Sequence, residues 1–357
     1  MNKRWFVWYC VLGCLLAGCG GKAVQKEKPV VIPPPKPPVP PPARVDQPID
    51  LALRAQATGE LNRAYHDPDE VIRANAIEAT QRTLGIAAAP AILNALGDPS
   101  PLVRFAASMA VGELQLREAQ PRLLANLLTP DQLDAQASNT PGSFEQAEAR
   151  RVLAASEQIG IRYALHKLGI KQYSHDLEKF AVDRSPRVRA NTVMVLGLLG
   201  EKSALKILNT TTNDPDPAVQ LQSVEARYKL GDQTALEDLA VASVSKFPDD
   251  QIIALLALGS SKDARNARLI SGKLTSDYTE VTLAAARALG MLGNDLGMGV
   301  ALKAVESKDA RQRSMAALAL GAIGRTDAQD ELARLLKDPS PAVRLSAAQA
   351  ILQLKAG

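Results

Sequence analysis

Cysteine is nearly absent: the 357-residue chain has three, Cys10, Cys14 and Cys19, and none beyond. The body that follows holds no thiol, so disulfides can play no part in its stability. Histidine is as scarce. His66, His166 and His175 are the whole set. None sits in a metal or nucleophile motif, and the nearest grouping, His166 and His175 with Asp176, has no helical spacing that would make it converge. No catalytic residue, metal ligand or cofactor is expected. Aromatic residues make up 4% and the formal net charge is +4. Without Lys3 and Arg4 the balance is 40 basic against 38 acidic residues, which is no electrostatic bid for nucleic acid. A glycine-rich run at 290–297 lacks the preceding strand and the Lys-Ser/Thr of a phosphate loop.

Repetition is what the chain has in abundance. Asp338-Pro339-Ser340-Pro341-Ala342-Val343-Arg344 is written again at Asp98-Pro99-Ser100-Pro101-Leu102-Val103-Arg104, and in close variants from Asp183 and from Asp214. Stepping back from Val343 in strides of 31 gives Gln312, Val281, Asp250, Val219, Val188 and Glu157 without slippage. A fixed period of this length is the mark of a repeat array.

Each period reads as two helices. The Asp-Pro-x-Pro opening offers a capping carboxylate and a proline whose fixed φ suits a first helical turn. Small or β-branched residues recur four and seven positions after the anchor, as at Ala347 and Ala350 or Ala285 and Ala288. That spacing is helical, and small side chains there let neighbouring helices approach closely. Twelve after the anchor stand Gly169, Gly200, Gly231, Gly293 and Gly324, where a helix must stop and glycine reaches the left-handed conformation without a Cβ clash. A shorter helix precedes each long one, for example Asp327 to Lys337.

Two helices and two turns in 31 residues resemble the HEAT repeats, in particular the short HEAT-like class that also occurs in phycobilin lyases. The Asp-x-x-Pro-x-Val-Arg opening and Leu-Gly close of that class stand at 183–197. The resemblance implies an all-α fold, an α-α superhelix or solenoid of about nine helical-hairpin repeats over 49–357. It leaves function open, since such repeats serve adaptors, scaffolds and some enzyme subunits alike.

The array also departs from its pattern. The units anchored at Asp250, Val281 and Gln312 have Ser245, Ser276 and Ser307 where the others have Asp, and serine can still cap. Arginine follows the anchor at 104, 189, 313 and 344 but not at 220, 251 or 282. An Asp–Arg ladder between repeats should therefore be broken in the middle, each rung contributing under ~1 kcal/mol.

Residues 1–18 read as a leader, with Lys3 and Arg4 ahead of an apolar run too short to span a bilayer. Leu16-Ala17-Gly18-Cys19 matches the lipobox of bacterial lipoproteins. The resemblance implies cleavage before Cys19, a diacylglyceryl group on its sulfur, and commonly palmitate or another acyl chain on the new amine. Gly20 is not the Asp that this family uses for inner-membrane retention, which points to the outer membrane, facing the periplasm or the cell surface. Residues 19–48 form a tether whose proline-rich stretch, at ~3.1 Å per residue, would lift the body roughly 60 Å from the lipid. The hairpin Ile49 to Tyr65 and Val71 to Leu84 reads as an N-terminal cap, with looser spacing because Val71 lies 32 residues before Val103. The interval from Val103 to Glu157 holds 23 residues too many, an insertion near 129–148 whose polar letters read as an exposed loop.

The remaining place for function is a surface. Residues three, six and ten after the anchor share a helical face, which in a HEAT-like stack lines the concave side. This stripe runs through Asn191, Met194, Leu198, Gln222, Glu225, Lys229, Ile253, Leu256, Arg287, Met291, Met315 and Leu318. Its C-terminal half is apolar, a candidate groove for partner proteins. The expectation is a membrane-anchored, non-catalytic protein-binding scaffold of the cell envelope. The alternative is a lyase-like enzyme or enzyme subunit using the groove for a small ligand.

Overall fold

The computed structural model describes residues 40–45, 47–139 and 141–355. The leader, Cys19 and the tether up to residue 39 lie outside the described residues. Among the described residues the fold is all-α, with nineteen α-helices joined by turns and short 3-10 segments. They begin with α1 (Leu51–Ala64), α2 (Glu70–Leu84), α3 (Ala89–Ala95), α4 (Pro101–Leu114), α5 (Gln120–Ala125) and α6 (Pro130–Asn139). Next come α7 (Phe144–Lys167), α8 (Leu177–Phe180), α9 (Pro186–Leu199), α10 (Leu205–Thr211), α11 (Pro217–Lys229) and α12 (Thr234–Ala242). The last are α13 (Pro248–Ser260), α14 (Ala267–Ser271), α15 (Thr279–Met291), α16 (Met298–Ala304), α17 (Ala310–Ile323), α18 (Gln329–Leu335) and α19 (Pro341–Gln353).

The helices sort into two compact units, one of residues 67–235 and one that joins residues 40–66 to 236–355. In the first, the long helices pack in the row α2, α4, α7, α9, α11. In the second, the row is α13, α15, α17, α19 and then α1. A short helix covers most long ones, as α10 does α11 and α18 does α19. Long helices within a row are apolar nearly all round, because neighbours flank them on two sides and a short helix on a third. Every residue of α15 from Val281 to Gly290 is buried.

The repeat's letters acquire definite jobs. The periodic aspartate is not the helix cap the sequence suggested. The cap position is the residue between the two prolines, where Ser100 and Asp216 accept from the first-turn amides. The aspartate two places earlier folds the turn: Asp98, Asp183 and Asp214 each accept the amide of the cap residue at 2.8 Å, and Asp338 does so at 2.9 Å. Ser245, Ser276 and Ser307 take over that role in the middle units. The same aspartates also receive an arginine from the preceding repeat. Arg189 forks onto both oxygens of Asp214 at 2.7 Å, and Arg313 onto those of Asp338 at 2.7 and 2.9 Å. In Arg73, Arg104, Arg189 and Arg313 the third nitrogen reaches back six residues to the carbonyl that opens its own turn, as Arg313 does to Ser307 and Arg104 to Asp98.

The ladder is broken where the sequence predicted. Gln220 and Gln251 still donate to the carbonyls of Asp214 and Ser245 six residues back, but a neutral amide is no charged fork for a carboxylate. One register shifts. Arg73 does what Arg104 does, binding Asp98 and the carbonyl of Asp67. The anchor of the first repeat is therefore Ile72, and the period of 31 holds from there to Val103.

Glycines nine after the anchor are seams between long helices. A Cβ on Gly197, Gly259 or Gly321 would sit 2.6–2.8 Å from the Cα of Ala226, Ala288 or Ala350, the residue seven after the next anchor. The small pair lets two backbones touch where any larger side chain would wedge them apart.

Two expectations are corrected. The insertion near 129–148 is helical rather than a loop. Thr129 and Gln132 cap α6 reciprocally, and Ser143 with Gln146 forms the same capping box at the start of α7. Leu133 fixes α6 by burying its side chain. The repeat keeps register across the insertion because Gln158, one after the anchor, still grips the preceding turn through Asn126 O and Leu128 N.

The second correction concerns the N-terminal hairpin. Helix α1 packs on α19, burying Leu53, Ala57, Leu61 and Ala64 along one stripe. Arg54, near its start, bonds the carbonyl of Leu354, and Glu60, near its end, bonds Arg344, so α1 runs antiparallel to α19. Among the described residues α19 packs between α17 and α1, as a long helix within a row packs between two neighbours. Residues 42–45, 47 and 48, expected within the tether, lie along the turn at Arg325–Gln329.

Candidate interaction surface

The stripe proposed from sequence is largely covered. In the first unit, Met194, Gln222 and Glu225 are buried, while Asn191, Leu198 and Lys229 are half-buried. In the second, Ile253, Leu256, Arg287, Met315 and Leu318 are buried, and Met291 is exposed at 36%. Three of its polar members are engaged locally. Lys229 pairs with Glu225 one turn away, and Asn191 donates to Ser156 Oγ at 2.9 Å. The accessible remainder is Asn191, Leu198, Lys229 and Met291. Helical spacing identified a common face but could not show that close Gly–Ala seams draw adjacent helices over it.

A second gathering of polar side chains surrounds the end of α7. His166 Nδ1 lies 2.7 Å from Ser174 Oγ, and its Nε2 lies 3.2 Å from Glu201 Oε1. Glu201 also pairs with Lys171 at 2.7 Å. Burial, and then the charge of Lys171, pull the imidazole below its ordinary range against the opposing pull of Glu201. It is therefore neutral at pH 7 and able to accept a proton. One turn earlier, Arg162 is buried, pairs with Asp176 at 2.7 Å, donates to Leu128 O, and lies over the Phe180 ring. Beside it the Tyr163 hydroxyl donates to Glu113, which Lys167 approaches to 3.7 Å. Burial and the Glu113 charge raise the Tyr163 phenol far above its usual range, so it stays protonated.

Sequence reasoning had grouped His166, His175 and Asp176. The structure separates them, giving His166 to Ser174 and Glu201, Asp176 to Arg162, and leaving His175 exposed beside Asp176 at 3.3 Å. Ser174 and Glu201 went unnoticed, although one signal was available. Thirteen after successive anchors stand Glu201, Asp232, Asp263, Asn294 and Arg325, a polar position just beyond the helix-ending glycine. Among the described residues no group of three or more His, Cys, Asp and Glu could hold a metal ion, and no helix is long and apolar enough to cross a membrane.

Among the described residues the most exposed large apolar side chain is Phe144, at 80%, on the first turn of α7. The inserted helices are held to the next repeat by charge: Glu148 receives Arg151 and Arg184, and Arg151 also forks onto Asp183 at 2.8 Å.

Comparison with known proteins gives the following. Residues 59–139, 175–259 and 298–356 match the HEAT-repeat family. No curated protein matches the chain. Among solved structures it is similar to the complex of CpcE and CpcF of phycocyanin lyase from Nostoc sp. PCC7120, at 22% identity, covering 62% of this chain and 94% of that one, with a TM-score of 0.39. It is also similar to human deoxyhypusine hydroxylase in complex with glycerol, at 17% identity over 85% and 97% of the two chains with a TM-score of 0.37. For Kap121p the identity is 14%, the coverage 82% and 37%, and the TM-score 0.33. With more than half of its length matched, this chain belongs to the HEAT-repeat family.

Proposed function

We propose that the chain is a lipid-anchored, non-catalytic protein-binding scaffold of a bacterial envelope, held to the membrane through Cys19 and most simply placed at the outer membrane. The observation that carries this reading is the use made of the periodic polar residues. The aspartates and arginines that recur with the repeat are engaged in turns and inter-repeat forks, a stabilising framework that leaves side-chain variation free for recognition. The Leu16-Ala17-Gly18-Cys19 box and Gly20 support the anchor and the membrane by resemblance to bacterial lipoproteins. Two acyl chains would make attachment firm, at about 0.8 kcal/mol per buried CH₂.

The test has two parts. Cys19→Ala in the full chain should abolish labelling by a palmitate analogue and move the protein from the membrane to the soluble fraction. Partners captured by crosslinking on the intact chain should be lost from Phe144→Asp, from Leu198→Asp or from Met291→Asp, while helix content is unchanged. Membrane fractionation that ignores Cys19 overturns the anchor, and unchanged capture overturns the surface.

A second reading, an enzyme using a groove for a small ligand, is favoured by the Ser174–His166–Glu201 alignment. It requires Ser174 to react with a fluorophosphonate probe in the native chain and not in His166→Gln.

A further inference from the structure

The strap formed by residues 42–45 and 47–50 is recognised almost entirely through its backbone. Arg325, 3% exposed, donates to the carbonyls of Pro42 and Ala43 at 3.0 Å each, while Asp327 and Asp295 hold the same guanidinium. Going along the strap, the Val45 amide donates to Asp327 Oδ2 at 3.3 Å and the Gln47 amide to Thr326 Oγ1 at 3.1 Å. Gln329 brackets the end, donating to Pro48 O at 2.9 Å and accepting from Asp50 N at 2.8 Å. Asp50 then caps α1, which lies antiparallel on α19 and closes with the Glu60–Arg344 pair at 2.7 Å.

This is how peptide-docking sites work: main-chain bonds supply affinity, and an amphipathic helix adds an apolar stripe. Arginine at this turn is peculiar to one repeat, since the equivalent positions hold Glu201, Asp232, Asp263 and Asn294. Arg325 divides its donors between Asp327 of its own turn, Asp295 of the preceding repeat and the two strap carbonyls. Meanwhile α1 makes its principal packing with α19 rather than with α2, the next helix in the chain. The five residues from Tyr65 to Asp69, including Pro68, join the strap's helix to the other unit.

We propose that the turn at Arg325–Gln329 with the outer side of α19 is a docking site for an extended segment that runs into a helix. The chain fills it in cis with residues 42–64, and the same segment of a second copy of the chain fits it in trans. Every contact named above is available unchanged to a second copy, so exchange costs only the loss of cis proximity. Arg325 is the positioning residue that sets register, and release of the strap leaves the end of the row open to self-association.

The test uses the full chain and a labelled synthetic peptide of residues 40–64. Leu53→Asp with Leu61→Asp weakens the cis strap and leaves the site intact. That variant should bind the peptide at one to one, at least tenfold more tightly than the native chain, whose site is already filled. Adding Arg325→Ala should reduce this binding at least tenfold. If the double aspartate variant loses helix content, Asp50→Ala with Glu60→Ala replaces it, because those changes leave the apolar stripe untouched. A folded strap variant that does not take the peptide overturns the proposal, as does equal binding by the native chain or binding indifferent to Arg325. For whole copies, the native chain should crosslink to the strap variant and not to the strap variant that also carries Arg325→Ala.

Discussion

Arg344 Nε lies 2.7 Å from Glu60 Oε1, a residue 284 positions away in the chain. Among the described residues Arg344 is the rung of the arginine ladder that meets no aspartate of a following repeat. Glu60 of the N-terminal helix stands in, 5% exposed at its side chain, and Arg63 joins it at 2.6 Å. The end of the second unit is thus completed by the beginning of the chain.

Glu60→Gln should lower the stability of the second unit by about 1–2 kcal/mol, since a charge-assisted bond to a half-buried arginine is replaced by a neutral one. Hydrogen exchange read separately in α19 and α9 checks this. Faster exchange is expected in α19 alone, and equal acceleration in both would contradict the assignment of α1 to the second unit.

Gly259→Ala should destabilise by about 1–3 kcal/mol, because its Cβ would meet the Ala288 Cα at 2.6 Å and backbone cannot step aside. Gly299→Ala, on the exposed side of α16 with nothing within 4 Å, should stabilise by roughly 0.5–1 kcal/mol through helix propensity. Urea unfolding of the two variants should give shifts of opposite sign.

Gln115 has φ 54 at the position where other repeats place a glycine, such as Gly200 with φ 77. A left-handed residue with a Cβ carries a cost of about 1–2 kcal/mol. Gln115→Gly should therefore raise the melting temperature and Gly200→Ala lower it, even though neither side chain is packed against anything. Differential scanning calorimetry reads both.

The forks make stability depend on acid. The Arg313 guanidinium holds Asp338 below its usual range, with burial opposing and the Ser340 amide assisting. Arg151 and then Arg184 pull Glu148 from 4.5 to about 2. For carboxylates whose folded values are depressed, stability is fully present above the unfolded values and is lost as pH falls through the folded ones. The urea midpoint should hold steady down to about pH 4.5 and drop between there and about pH 2. Glu148→Gln should flatten that drop, and an unaltered slope would show that the pair does not titrate with folding.

Much of the framework was legible because it is local and repeated. The helix ends at Gly200, Gly231, Gly293 and Gly324 all show the positive φ that their spacing implied. The break in the ladder at Gln220 and Gln251 followed from one letter at a fixed place. The candidate surface was less legible. Met194, Leu256 and Leu318 share a helical face, but their burial depends on how closely the next helix approaches. The rungs were also undervalued: Arg313 and Asp338 are a two-pronged pair, 15% and 7% exposed at their side chains, and such geometry exceeds an ordinary surface ion pair.

By itself the sequence determined the class of fold, the period of 31, the start and stop of most long helices, and the lack of any thiol after Cys19. These are short-range matters, fixed by backbone preference and helical spacing within one repeat. Only the tertiary structure decided that the periodic aspartates fold turns, that the insertion is helical, and that α1 seals α19. Those outcomes depend on contacts between residues tens to hundreds of positions apart, such as Arg325 with Pro42, for which the chain carries no periodic mark.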